Sequence, residues 1–176
     1  MQIIKDLKEV ADEKLAKNYA RFFKTGKGEY GEGDKFLGMR VGTIRKIAKK
    51  HKEISFDDLE KLFEGEYHEY RLAAIFILKH KYKEDPKKVV EMYLKNLKYV
   101  NNWDLVDLSA PKILGRWLLD KDRKILYKLA KSKDLWEKRV AILSCFTFIR
   151  EKDYDDALKI SEILLNDSHD LIHKAV

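Results

Sequence analysis

The sequence predicts an all-α protein built as an α-solenoid, in which stacked helix pairs bury a continuous core. Amphipathic helical periodicity covers almost the whole chain, which has only 2 prolines and 8 glycines among 176 residues. Short similar segments also recur in the second helix of successive predicted pairs. RLA, DLS, RVA and HKA begin 32 to 36 positions apart, a spacing typical of helix–turn–helix repeats. The alternative is an irregular all-α bundle whose helix lengths happen to match.

The N-terminal part, residues 1–54, has the less regular pattern. A stripe of apolar residues predicts one long helix over 2–24. The segment TGKGEYGEGDK at 25–35 follows and contains four of the eight glycines, so it is predicted to be the flexible loop of the chain. A helix capped by Thr43 is expected after it.

Residues 55–176 are predicted to form the regular helix pairs, with the last repeat incomplete. Ser55 is the expected cap of the first of these helices, and Asn102 is the expected cap of the fourth. Pro111 should bend that fourth helix, because proline cannot donate a hydrogen bond to the carbonyl of Asp107 four residues earlier. The bend either leaves a free acceptor beside the acid or serves packing alone. The predicted helices are 56–64, 67–81, 86–98, 103–119, 122–131, 135–150, 154–166 and 169–176.

Composition and charge exclude several classes of protein. The chain is 45% hydrophobic and 38% charged, and no apolar run approaches the ~18–20 residues that a membrane span requires. The single cysteine, Cys145, makes no disulfide framework, so a reducing cytoplasm is the expected location. The net charge of +7 favours polyanionic partners, although many basic proteins never bind nucleic acid.

The first residues of the recurring triplets form a row in which Asp107 is the one acid. The other three are Arg71, Arg139 and His173. Burying such a row costs free energy unless its members are paired, so we expect it on an open, concave face. Trp103 precedes Asp107 by one helical turn, which places both side chains on the same helix face.

Three segments carry a resemblance to a known family. They are FLGMRVGTIRKIAKK at 36–50, NWDLVDLSAPKILGRWL at 102–118 and LWEKRVAIL at 135–143, followed by HDLIHKAV at the end. Together they resemble the AlkD-like DNA alkylation repair family, which consists of HEAT-like-repeat alkylpurine DNA glycosylases. The second segment is similar to the family signature W-D-x-V-D-x-x-x-P-x-x-L-G. The resemblance implies one right-handed α-solenoid of HEAT-like repeats over residues 1–176.

The resemblance also implies an activity and a site. The family is expected to hydrolyse the N-glycosidic bond of cationic N3- and N7-alkylated purines in duplex DNA, without rotating the lesion fully into a pocket. Asp107 takes the position of the catalytic carboxylate, Trp103 that of an active-site aromatic, and Arg139 that of an arginine in the same cleft. No cofactor is expected. The predicted DNA contacts are Arg71, Lys46, Lys49, Lys50, Lys112, Lys138 and His173.

Two departures from the family pattern leave other functions open. In the family the last segment continues as A-[IV]-G-W-x-x-R-E, whereas this sequence ends at Val176, so the family's C-terminal part is expected to be missing. A lid aromatic expected as tyrosine aligns with Phe22, which has no hydroxyl. The alternatives are a non-catalytic HEAT-like DNA-binding protein and a protein-binding scaffold. His169 and His173 lie four residues apart but have no third candidate ligand nearby, so a metal site is not expected.

Overall fold

The computed structural model describes residues 1–176 and confirms the all-α class. It contains eleven α-helices and no β-strand, and its only β-bridge is an isolated parallel one between Lys35 and Tyr67. None of its helices combines the length and the apolar character needed to cross a membrane. The chain divides into two compact units, residues 1–85 and 86–176.

The first unit is organised around its last helix. Its helices are α1 (Gln2–Glu9), α2 (Glu13–Phe22), α3 (Val41–Lys50), α4 (Phe56–Phe63) and α5 (His68–Lys81). Helix α5 packs against α1, α3 and α4, and nearly all of its residues are buried. This enclosure explains why the middle of α5, residues 72–78, is entirely apolar, since a helix segment surrounded by others has no solvent face.

The single helix predicted over 2–24 is wrong, because the chain breaks between α1 and α2. Asp12 is the residue just before α2 and has an extended backbone. Its carboxylate accepts the Leu15 N–H at 3.0 Å and so caps the helix. The backbone N–H of Asp12 in turn donates to the carbonyl of Leu37 at 3.0 Å. An N-cap residue inside the apolar stripe therefore divides it into two helices.

Two predicted caps have different outcomes. Helix α3 begins at Val41 after Arg40, so the cap predicted at Thr43 is wrong. Ser55 does cap α4, because its hydroxyl accepts the Asp58 N–H at 3.1 Å.

Glu69 on α5 holds the segment that precedes α3. Glu69 is 1% exposed, and its carboxylate accepts the backbone N–H groups of Leu37 at 2.9 Å and Gly38 at 2.8 Å. Gly38 has a φ of +83°, and a Cβ at this position would lie 2.1 Å from the carbonyl oxygen of Asp12. Only glycine fits there, since both the backbone conformation and the close approach exclude a side chain.

The second unit is organised around its longest helix. Its helices are α6 (Pro86–Lys95), α7 (Trp103–Ser109), α8 (Lys124–Ala130), α9 (Leu135–Arg150), α10 (Asp155–Leu164) and α11 (Asp170–His173). Helix α9 packs against α7, α8, α10 and α11. Its bounds coincide with the predicted helix 135–150, whereas α11 is shorter than the predicted helix 169–176.

The continuous helix predicted over 103–119 is wrong, but the irregularity expected at Pro111 is present. Helix α7 ends at Ser109, and a π-helical turn occupies Pro111–Gly115. In this turn the Gly115 N–H donates to the carbonyl of Ala110, five residues earlier, at 2.9 Å. The wider turn follows from the missing N–H of proline.

Candidate functional site

Asp107 and Arg139 form a bidentate ion pair between α7 and α9. Arg139 Nε donates to Asp107 Oδ1 and Nη2 donates to Oδ2, each at 2.9 Å. Arg139 Nη1 also donates to the carbonyl oxygen of Leu171. The Arg139 side chain is 8% exposed, whereas that of Asp107 is 34% exposed. The guanidinium is therefore fixed at three points, and the carboxylate that it orients stays accessible to solvent.

Trp103 lies at the start of α7, one turn before Asp107. Its backbone N–H donates to the side-chain oxygen of Asn102 at 2.8 Å, which confirms Asn102 as the predicted cap. The indole side chain is partly exposed, and Asn102 is fully buried. Two buried side-chain atoms of the residues just before Trp103, Asn102 Nδ2 and Asn101 Oδ1, have no hydrogen-bond partner. The sequence predicted Asn102 only as a cap and did not single out Asn101.

The prediction that the row of triplet residues lies on an open face is wrong for its two arginines. Arg71 and Arg139 are both buried, whereas His173 is exposed and Asp107 partly so. Each arginine is buried because a carboxylate pairs with it, which offsets the cost of removing the charge from water.

The carboxylate that pairs with Arg71 comes from the glycine-rich loop. Asp34 Oδ1 accepts from Arg71 Nη2, and Asp34 Oδ2 lies 3.0 Å from His68 Nδ1. Arg71 Nη1 donates to the carbonyl of Gly65 at 3.1 Å, while its Nε is buried without a partner. The end of the loop predicted to be flexible is therefore fixed inside the first unit.

The environment of Asp34 lowers its pKa. Burial alone would raise the pKa, but the hydrogen bond from His68 and the positive charge of Arg71 outweigh burial and hold the pKa of Asp34 below its ordinary value of 3.8. The ionised form of Asp34 is thus favoured in the folded state.

We expect this cluster to make the protein sensitive to acid. Because the folded-state pKa of Asp34 lies below its unfolded-state pKa, its contribution is complete above the unfolded-state pKa and is lost as the pH falls through the folded-state pKa. Urea unfolding of the wild type between about pH 6 and pH 3 should therefore show a decreasing free energy of unfolding. Asp34→Asn should start about 3–5 kcal/mol less stable, because it leaves a buried guanidinium without its carboxylate.

Asp34→Asn should also depend less on pH than the wild type does. Asp57→Asn, which changes an exposed carboxylate on α4, is the matched control and should keep the wild-type pH dependence. Equal pH dependence in the wild type and Asp34→Asn would contradict the assignment.

Comparison with known families decides the identity of the chain. A family model described as DNA alkylation repair enzyme matches residues 3–176. The chain belongs to this family. No curated protein sequence matches it significantly. The match confirms the resemblance found in the three segments, and it indicates an enzyme of DNA alkylation repair with DNA as its partner.

The lysines predicted to contact DNA differ in exposure in this repair enzyme. Lys46, Lys49 and Lys50 are exposed on α3, and Lys112 is exposed in the π-helical turn. Lys138 is only partly exposed, since it pairs with Asp167. DNA contact by these lysines, by Arg71 and by His173 stays a prediction.

The histidines and Phe22 also have defined surroundings in the repair enzyme. His169 Nδ1 accepts the Leu171 N–H at 3.1 Å and so caps α11, while His173 Nε2 contacts the carbonyl of Asp167. No group of three or more histidine, cysteine or carboxylate side chains lies together where it could hold a metal ion. Phe22 is 61% exposed at the end of α2 and makes an edge contact with the Phe23 ring.

Proposed function

We propose that this repair enzyme is a DNA glycosylase that hydrolyses the N-glycosidic bond of cationic N3- and N7-alkylated purines in duplex DNA. The observation that supports the proposal is the Asp107 carboxylate, which is solvent-accessible yet held in one orientation by a buried arginine. An alkylated purine is already positively charged, so it leaves as a neutral base without being protonated. The reaction therefore requires stabilisation of the positive charge that develops on the deoxyribose.

Asp107 is suited to this single task. Each of its oxygens accepts one N–H from Arg139, and a carboxylate has about four lone-pair sites in all. Acceptor capacity thus remains on both oxygens for a water molecule or for the sugar. A negative charge fixed before the reaction stabilises the oxocarbenium-like transition state without reorganisation, and it can also orient the attacking water.

Trp103 and Arg139 have supporting roles in the proposed site. An indole face attracts a cationic base by roughly 0.5–2 kcal/mol, depending on desolvation, and Trp103 lies on the same helix as Asp107. Arg139 Nε, Nη1 and Nη2 already donate to Asp107 and Leu171. We therefore assign Arg139 to positioning the acid rather than to binding a backbone phosphate.

The finer predictions about fold and location belong to the same proposal. The recurring triplets and the family resemblance support a right-handed solenoid of HEAT-like repeats. The single cysteine, Cys145, is buried and unpaired, which fits a reducing cytoplasm.

Incubation with alkylated duplex DNA tests the proposed activity. We expect the wild-type protein to release 7-methylguanine or 3-methyladenine faster than spontaneous depurination does, as measured by chromatography of the free bases. A non-catalytic DNA-binding relative would instead show salt-sensitive duplex binding without base release. A protein-binding scaffold would show no duplex binding near physiological salt.

A further inference from the structure

The first unit contains a basic cavity at the C-terminal ends of α3 and α5. It has a volume of about 230 Å³. Four lysines and one histidine line it: Lys52, Lys79, Lys81, Lys83 and His80. We call it the His80 cavity. It lies outside the proposed catalytic site, and none of its residues takes part in the proposed base release.

The two acids of the His80 cavity do not cancel its positive charge. Glu53 lies 3.3 Å from Lys52, but the two side chains are 72% and 52% exposed, so solvent weakens their attraction. Glu84 is the only other carboxylate lining the cavity. Four lysines thus face two glutamates, which leaves a surplus of positive charge.

Two of these lysines are held in place by aromatic rings. The Nζ atom of Lys79 lies 5.5 Å from the centre of the Phe76 ring, and that of Lys81 lies 5.5 Å from the centre of the Phe56 ring. Lys81 is also buried. Lys79 is ordered by its ring contact before an anion binds, so it loses less conformational entropy on binding than a free surface lysine does.

Helix dipoles explain only part of this arrangement. Lysines in the last turn of a helix are stabilised by the negative end of its dipole, and Lys79 and Lys81 lie in the last turn of α5. Lys52 and Lys83 lie beyond the helix ends, where the dipole effect falls off. Their convergence on the same cavity calls for a further reason.

His80 lies among these lysines. Partial desolvation is the main cause that lowers the pKa of its imidazole, and the charges of Lys52, Lys49, Lys79 and Lys83 lower it further. The other histidine near the end of α3, His51, is already paired with Asp6 at 2.8 Å. A bound anion would relieve the repulsion around His80 and favour its protonated form.

We infer that the His80 cavity binds a phosphate group through Lys52, Lys79 and Lys83. The phosphate can belong to a nucleic-acid backbone or to a free phosphate or phosphomonoester, since both present the same charged oxygens to lysines. Lysine binds phosphate as a point charge, which suits a cavity that has no arginine among its lining residues.

Histidine NMR of the full chain tests this inference. The His80 pKa is measured with and without inorganic phosphate, with sodium chloride keeping the ionic strength equal. We expect phosphate to raise the His80 pKa by about 0.5, which corresponds to about threefold tighter binding when His80 is protonated. The NMR signals of His169, the residue that caps α11, are the control and should not respond to phosphate.

Variants and a second probe decide the assignment. Lys52→Gln combined with Lys83→Gln should remove the shift. Lys61→Gln, which changes an exposed lysine on α4, should retain it.

An undamaged DNA duplex is the second probe. A shift with the duplex assigns the phosphate to a DNA backbone, and a shift with inorganic phosphate alone assigns it to a free phosphate or phosphomonoester. No shift with either probe, or an undiminished shift in the double variant, overturns the inference. None of these measurements depends on base release, so they stand or fall separately from the glycosylase proposal.

Discussion

Replacing Asp107 with asparagine is expected to reduce the release of 7-methylguanine from duplex DNA by at least about 100-fold. The amide has the shape of the carboxylate but no negative charge, so it cannot stabilise a cation on the deoxyribose. Binding to undamaged duplex should be unchanged or slightly tighter, because a negative charge near the phosphates is removed. A single-turnover assay of base release, run beside a duplex-binding titration, distinguishes these two effects.

Loss of the ion pair with Arg139 must be separated from loss of the catalyst. Asp153→Asn is the matched control, because Asp153 pairs with Arg123 at 2.6 Å in the same unit and is also partly exposed. It should retain base release, and thermal unfolding of both variants shows how far each pair contributes to stability. If Asp107→Asn released base at the wild-type rate while remaining folded, catalysis would have to be assigned to other residues.

Gly38→Ala is expected to produce a large loss of stability. An alanine would have to adopt the φ of +83° and place its Cβ 2.1 Å from the carbonyl oxygen of Asp12 and 2.4 Å from the backbone nitrogen of Ala16. The left-handed conformation costs about 1–2 kcal/mol, and overpacking against backbone typically adds about 1–3 kcal/mol. We therefore expect the free energy of unfolding, measured with urea, to fall by about 2–5 kcal/mol.

A second glycine separates the two contributions. Gly28 has a φ of +79°, and a Cβ there would meet nothing within 4 Å. Gly28→Ala should therefore lose only about 1 kcal/mol, the cost of the backbone conformation. Similar losses in the two variants would show that the close approach of Gly38 to Asp12 contributes little.

Helices that depend on local pattern could be predicted from the sequence, whereas breaks that depend on distant contacts could not. Helix α9 coincides with its predicted range because apolar residues and the Asp134 cap mark it locally. The break before α2 is different. Asp12 could have continued an exposed helix face, and what fixes it as a cap includes its backbone bond to Leu37, a contact that no local pattern reveals.

The same distinction applies to the candidate site. Equivalent positions in neighbouring repeats predicted that Asp107 and Arg139 would lie near each other, and the structure joins them. The burial of Arg71 was not predictable, because its partner Asp34 lies 37 residues earlier in a loop whose glycines indicated mobility. Glu69 was missed as well, although the one acid of α5, close to the apolar run 72–78, was a usable signal.

The contact between Arg139 and the carbonyl of Leu171 has a consequence for how activity could be adjusted. This carbonyl belongs to the backbone of the short helix α11, so a small displacement of that helix would rotate the guanidinium and turn the acid that it holds. The rate of the reaction could then be tuned by residues that never meet the substrate, through the direction in which one negative charge points.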